Sequence, residues 1–316
     1  MLDLVIIGAA AAGCSAAVYA ARRNLNFVVI SKDIGGEVAL SGDVDNWPGT
    51  LHTTGVQLAD DFHKHALSYG VKFENGLEVT DILQEKNYHI VVTKDFHGNE
   101  KRFETKTVLI GSGIHPRNLG VAGEVELKGR GVTYCTVCDG PLFKNKITCT
   151  VGAGNSALES ALMMGTIASK VYLLTKFSNT KETNGGFPKG ENILIDKVKQ
   201  MNNVEIIYEA NTKEITGEKL VTGVKYTDAS GAELKEIAVQ GVMIHIGNIP
   251  NSSFVKNIIK NPAGEIETDK IGQTNIPGIF AAGDVTNIPY KQISISSGLG
   301  VTAVLAAIDY INRWHE

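Results

Sequence analysis

A β-branched strand, a glycine-bearing turn and a helix follow one another twice in this chain, near residues 4–23 and 147–164. That pattern predicts an α/β fold with two Rossmann-like nucleotide-binding domains. A third observation is Cys135-Thr136-Val137-Cys138, followed at once by Asp139 and lying just ahead of the second turn. With 316 residues, 43% hydrophobic and 20% charged, the chain is long enough for two cores. A formal net charge of −4 with no basic run argues against a nucleic-acid partner. Four cysteines in 316 residues are too few for a disulfide-stapled secreted scaffold, so a reducing, cytoplasmic setting is expected.

In order along the chain, the first βαβ unit is a strand at 4–7, a helix at 13–23 and a strand at 27–30. Its turn, Gly8-Ala9-Ala10-Ala11-Ala12-Gly13, has the GxGxxG spacing with Ala10 in place of the middle glycine. Gly8 permits the tight turn, Gly13 lets helix and strand approach, and the helix N-terminus offers free N–H groups to a pyrophosphate. Ala10 weakens the motif, because a methyl stands where backbone should near the phosphates. The acid expected on the ribose at the next strand end is also missing, leaving Ser31 or Asp33 as substitutes. The uncharged stretch 4–21 approaches the length of a membrane span. It has no basic leader and is broken by Gly8 and Gly13, so a buried parallel strand turning into a helix is the better reading, with no membrane.

The Cys135/Cys138 spacing suits a pair cycling between dithiol and disulfide, with Asp139 at hand for the proton. Zinc uses the same spacing but needs about four ligands, and there is no second CxxC, so no metal is expected; a static bridge is the other alternative. Cys14 and Cys149 are isolated in apolar runs and read as packing. The second fingerprint, Gly152-Ala153-Gly154-Asn155-Ser156-Ala157, follows strand residues 147–151 and implies a second dinucleotide through Gly152, Gly154 and Ala157. His115 and His245 are alternative acid/base groups, yet each is a lone histidine near an apolar strand end, where packing or surface roles are commoner. Near the far end, Gly278-Ile279-Phe280-Ala281-Ala282-Gly283-Asp284 reads as a strand entering a Gly-Asp turn, ahead of a last helix.

Several motifs occur in the order found in low-molecular-weight thioredoxin reductases. They are the N-terminal fingerprint, Gly35-Gly36-Glu37, Asn46-Trp47-Pro48-Gly49, Ile110-Gly111-Ser112-Gly113, Cys135–Cys138-Asp139-Gly140 and the Gly283-Asp284 turn. The chain resembles that family over essentially its whole length. From Gly131 to Lys146 it is more similar to the flavoprotein component of alkyl hydroperoxide reductase, which carries an extra N-terminal pair of thioredoxin-like domains not found in this sequence.

The resemblance implies a discontinuous FAD domain, residues 1–114 and 248–316, with a nicotinamide-type domain, 115–247, inserted into it. Pro116 and Gly247-Asn248-Ile249-Pro250 punctuate the crossings and read as paired hinge strands. Gly8, Ala10 and Gly13 would lie against the FAD pyrophosphate, Ser31 near its ribose, and Gly36, Glu37, Asn46 and Gly113 near the flavin and ribityl chain. Asp284 would bind the ribityl hydroxyls, and Lys291, Gln292 and Ile293 would aim backbone N–H groups at the flavin pyrimidine ring. Cys138 would face the flavin, Cys135 would attack the disulfide of thioredoxin or a thioredoxin-like protein, and Asp139 would be the acid. The family's arginine signature for the NADPH 2′-phosphate is replaced by Thr175-Lys176-Phe177-Ser178-Asn179-Thr180-Lys181. Thr175, Lys176 and Lys181 are thus the candidate contacts for NADPH or NADH, with point charges in place of a planar fork. Ferredoxin stands as an alternative donor, as in ferredoxin-dependent flavin thioredoxin reductases, and a redox-regulated electron-transfer flavoprotein as an alternative function. The family also implies a homodimer.

Overall fold

A computed structural model describes residues 1–41 and 43–315, with the side chains of Asp43 and Cys138 outside the described set. The chain divides into two compact units, Met1–His115 with Ile249–Glu316, and Pro116–Asn248. The first begins with β1 (Leu2–Ala9), α1 (Ala11–Arg22), β2 (Phe27–Ile34), α2 (Gly36–Ala39), β3 (Asp43–Val44), β4 (Thr53–Thr54) and α3 (Gly55–Ser68). It continues through β5 (Phe73–Asn75), β6 (Glu78–Gln84), β7 (His89–Lys94) and β8 (Glu100–Ile110), and leaves by β9 (Ile114–Pro116). The second unit holds β10 (Val132–Thr133), α4 (Thr136–Asp139), β11 (Ile147–Gly152), α5 (Asn155–Ile167), β12 (Lys170–Leu174) and α6 (Asn192–Gln200). Then come β13 (Val204–Ile207), β14 (Asn211–Gly217), β15 (Val221–Thr227), β16 (Leu234–Ala238) and β17 (Gly241–His245). The chain returns through β18 (Asn248–Pro250), which pairs with β9, to β19 (Ile279–Ala281) and α7 (Ile293–Asn312).

In the first unit the strands run β5-β2-β1-β8-β7-β6, with β19 also pairing β8. β8 divides its partners: Val108–Ile110 lie parallel to β19, while Glu100–Thr105 lie antiparallel to β7. β1 is central because Leu4, Val5 and Ile6 are fully buried on both faces, as a parallel strand covered on both sides requires. Its turn is set by steric limits. Gly8 has φ +108, and a Cβ on Gly13 would fall 1.8 Å from the Gly8 carbonyl oxygen. α1 and α7 share one core and touch closely, since a Cβ on Gly300 would lie 2.1 Å from the Ala12 oxygen. Among the described residues α7 alone is long and apolar enough to cross a membrane by length and composition; Ala303, Val304 and Ala307 are buried against the α1 side of the sheet.

The second unit has a parallel sheet, β10-β17-β11-β12-β13, and an antiparallel one, β14-β15-β16. The α5 and α6 side packs Leu158, Met164 and Phe187, and the β14–β16 side packs Val224, Ile215 and Val242. The expected α/β class with two Rossmann-like sheets therefore holds. The antiparallel three-stranded sheet and the β6–β7 hairpin are additions that the glycine fingerprints do not announce.

Candidate flavin, nucleotide and redox sites

In the first unit, two helix N-termini and a carboxylate converge. α1 starts after Ala10, α7 starts after Gln292, and neither end is capped by a side chain, so their first N–H groups are available to an outside acceptor. A Cβ on Gly283 would lie 3.1 Å from the Ala12 Cβ and 3.3 Å from the Ser296 Oγ, which brings the Gly-Asp turn against both first turns. Asp284 accepts a hydrogen bond from the Ser296 hydroxyl at 2.8 Å. Burial raises its carboxyl above the ordinary value, opposed by Ser296 and by the charge of Lys291. The Asn46 amide donates to the Gln292 side chain at 3.3 Å, and Ile293 packs with Ala11, Val38 and Trp47. A Cβ on Gly36 would lie 3.5 Å from the Ala10 Cβ. This set, two unfilled helix ends beside a buried carboxylate, fits a flavin dinucleotide: the helix ends suit pyrophosphate and the electron-rich ring, and the carboxylate suits a polyol.

Individual residues differ from the sequence-level picture. Ala10 has φ −111 and ψ −159, extended backbone that any residue adopts, so the turn does not need a glycine there for its conformation. Ser31 is buried and donates to Asn75 Oδ1 at 2.9 Å, which engages its hydroxyl inside the unit. Lys291 turns its ammonium onto the Thr286 and Ile288 carbonyls and Glu265, leaving only its backbone for a ligand. Glu37 is exposed in the first turn of α2. Gly113 has φ +68 with open space where a Cβ would be. The tail is anchored away from the α7 N-terminus: the Trp314 indole donates to the Asn87 oxygen at 2.8 Å, and the Lys106 ammonium lies 5.0 Å from its ring centre.

In the second unit, the Gly152–Ala157 turn joins β11 to α5. A Cβ on Gly152 would meet the His245 oxygen at 2.2 Å and the Ala157 Cβ at 2.7 Å, so both small residues serve close packing of strand and helix. α5 begins after Gly154 without a side-chain cap, and this uncapped end at the strand's carboxyl edge fits a dinucleotide pyrophosphate. In the loop beyond β12 the Thr175 hydroxyl has an internal partner. Thr175 is buried and donates to the Gly186 oxygen at 2.6 Å, because the loop folds back on itself. Lys176 and Lys181 are exposed, with Lys176 5.4 Å from the ring centre of Phe177.

The thiol pair flanks the start of α4. Cys135 is half-buried and held in a disulfide. Cys138's side chain lies outside the described residues. Asp139 donates its backbone N–H to the Cys135 oxygen at 3.1 Å and accepts from the Thr133 hydroxyl at 2.5 Å. Cys14 and Cys149 are free and buried; burial raises the Cys14 thiol to about 12 and pushes Cys149 higher still, so neither is a nucleophile. Among the described residues no cluster of His, Cys, Asp and Glu could hold a metal.

Several contributors carry no signal in the sequence. Thr136, between the two cysteines, has its hydroxyl 2.7 Å from His245 Nε2 and 2.6 Å from Ser160 Oγ on α5. Burial lowers the His245 imidazole to about 4, so it is neutral at physiological pH. His245 thus supports the redox helix from beneath, whereas His115 lies in the other unit, exposed and 2.6 Å from Asn251 Oδ1. Glu124, almost fully buried, accepts from the Leu119 and Gly120 amides and the Tyr134 hydroxyl, each at 2.7 Å, and so fixes the residue before Cys135. No spacing rule marks Thr136, Ser160 or Glu124: the partners of Thr136 are distant in sequence, and Glu124, though its partners are near, sits in no motif.

Two such units, with paired nucleotide turns and a cysteine pair in the second, define a flavin- and nucleotide-linked disulfide oxidoreductase architecture. The chain belongs to the pyridine nucleotide-disulphide oxidoreductase family, whose model matches residues 2–305. It is 38% identical over 312 residues to the F subunit of alkyl hydroperoxide reductase of Staphylococcus aureus, covering 98% of this chain and 59% of that protein. The chain thus spans well under two thirds of the length of that relative. Thioredoxin reductase from Streptococcus pyogenes superposes with a TM-score of 0.83 at 34% identity, covering 99% of both chains. A ferredoxin-flavin thioredoxin reductase from Clostridium acetobutylicum gives a TM-score of 0.52 at 26% identity, covering 99% of this chain and 98% of that one.

Proposed function

We propose that this protein is an FAD-dependent disulfide reductase that passes two electrons through Cys135 and Cys138 to thioredoxin or a thioredoxin-like protein. The observation that carries the reading is Cys135 in its oxidised form at the start of α4, beside Asp139, in a unit with its own dinucleotide turn. FAD, when bound, would supply the electron pair that opens this disulfide. In the first unit, the amino ends of α1 and α7 would hold its pyrophosphate and ring, and Asp284 its ribityl chain. The likeness to thioredoxin reductases and to the alkyl hydroperoxide reductase relative supports that assignment.

Once the pair is reduced, the Cys135 thiolate attacks one sulfur of the partner's disulfide. A Cys135–partner disulfide forms and the partner's other sulfur leaves as a thiolate. Asp139 hands that thiolate its proton, with Thr133 orienting the carboxyl. The Cys138 thiolate then attacks Cys135 Sγ, which restores the intramolecular disulfide and expels the second partner sulfur as a thiolate, protonated from solvent. Val137 and Leu142, both largely exposed beside this helix, offer apolar surface to the incoming protein.

NADPH or NADH is the donor in this reading, held by Gly152, Gly154 and Ala157, with Lys176 and Lys181 as exposed charges for a 2′-phosphate. Thr175, turned inward, favours keeping ferredoxin as a second donor reading. Anaerobic titration with NADPH, NADH and reduced ferredoxin in turn, following flavin bleaching and then coupled thioredoxin reduction, tests both. Protein that binds no flavin, or reduced protein that leaves thioredoxin disulfide untouched, would remove the proposal.

A further inference from the structure

The connection between β12 and α6, residues 175–191, is far longer than the about two to six residues an α/β unit needs, and it is ordered by its own bonds. Thr175 donates to the Gly186 oxygen, Asn184 donates to the Gly190 oxygen at 2.8 Å, and Phe187 is fully buried. Its end returns to the second glycine turn. Gly154 and Lys189 form a parallel β-bridge. Asn155, the first residue of α5, donates its amide to Glu191 Oε1 at 3.0 Å and accepts the Glu191 backbone N–H at 2.8 Å. The exposed Glu191 side chain therefore brings an acidic group to the amino end of α5, the end whose partial positive charge a dinucleotide pyrophosphate uses.

We propose that Glu191 competes with the pyrophosphate of the nicotinamide nucleotide and sets a ceiling on affinity, weakening NADPH and NADH alike. The inference rests on the second unit being a dinucleotide site, as set out under Proposed function. Asn155 and Glu191 also staple the starts of α5 and α6, and the test must separate charge from staple.

Glu191→Gln does so, because the glutamine carbonyl still accepts from Asn155 while the charge is gone. The oxidised, FAD-loaded enzyme is titrated calorimetrically with NAD⁺ and with NADP⁺, which bind without reducing it. The expected result is that both affinities rise by a similar factor, about two- to fivefold, as removal of one exposed anion from a helix N-terminus predicts. Unchanged affinities would overturn the inference and leave Glu191 as a staple. A gain confined to NADP⁺ would also overturn it, because the charge would then act on the 2′-phosphate. Thioredoxin reduction by dithionite-reduced wild-type enzyme bypasses this nucleotide site; its failure would count against the disulfide reductase reading, and the binding titration stands apart from it.

Discussion

His245 gives the most direct test of the redox unit's electrostatics. Burial beside Thr136 lowers its imidazole from 6.5 to about 4. The unfolded chain takes up the proton as pH falls through about 6.5, while the folded unit resists until about 4. Stability is therefore complete above 6.5, falls as pH drops through that window, and levels off below about 4. The full loss is about 3 kcal/mol, and at pH 5 it is about 2 kcal/mol. His245→Gln keeps an amide to meet the Thr136 hydroxyl and removes the titration. Hydrogen exchange of the β11 and β17 amides, corrected for intrinsic rates, reports opening of this unit alone. His89, also lowered by burial, belongs to the other unit. The expected outcome is that wild type loses about 2 kcal/mol more opening free energy than the variant between pH 8 and pH 5. Equal pH slopes in the two proteins would show that His245 does not titrate as its surroundings demand.

Gly300→Ala drives a methyl into the Ala12 carbonyl 2.1 Å away. It should cost about 1–3 kcal/mol and lower flavin retention, measured by melting and by the absorbance ratio of flavin to protein. Asp139→Asn should slow thioredoxin reduction by about two to four orders of magnitude in single-turnover assays; an unchanged rate with that step limiting would assign the proton elsewhere. Replacing Lys176 and Lys181 by alanine should abolish any NADPH preference, which should itself be about tenfold or less because exposed lysine–phosphate contacts are weak. Removing residues 314–316 deletes the Trp314–Asn87 bond at the end of a helix about 30 Å long, so it should lower stability and leave NADH-driven flavin reduction unchanged. A large rate gain would instead make the tail a shield.

What was legible in the sequence was local. Gly13 against the Gly8 oxygen and Ala157 against Gly152 are contacts within one strand-turn-helix, so spacing exposes them, while Gly8 and Gly152 also face the Gly111 and His245 carbonyls of neighbouring strands. The Gly283-Asp284 turn was visible only through its place in the motif order, since its contacts are with Ala12 and Ser296. Thr175, a candidate nucleotide contact by its position after a strand, gives its hydroxyl to the Gly186 oxygen, a partner that depends on how a long loop closes and that spacing does not show. The Thr136–His245–Ser160 group joins α4, β17 and α5, three elements whose proximity follows from sheet order, which no sequence window contains.

The two nucleotide turns of this chain are therefore not equivalent. In the first unit, the α1 end, the α7 end and Asp284 come from opposite ends of the sequence, neither helix end carries a side-chain cap, and Ser296 supports Asp284. In the second, the comparable helix end is met by the chain's own Asn155–Glu191 pair and the Lys189 bridge. A helix N-terminus can favour only so much negative charge, and an acidic side chain already placed there reduces what is left for a nucleotide. With FAD and a nicotinamide donor as proposed, the physical expectation is a protein that keeps its flavin tightly and exchanges the nucleotide freely. A resident cofactor calls for the first property, and a donor that must leave after each turnover calls for the second.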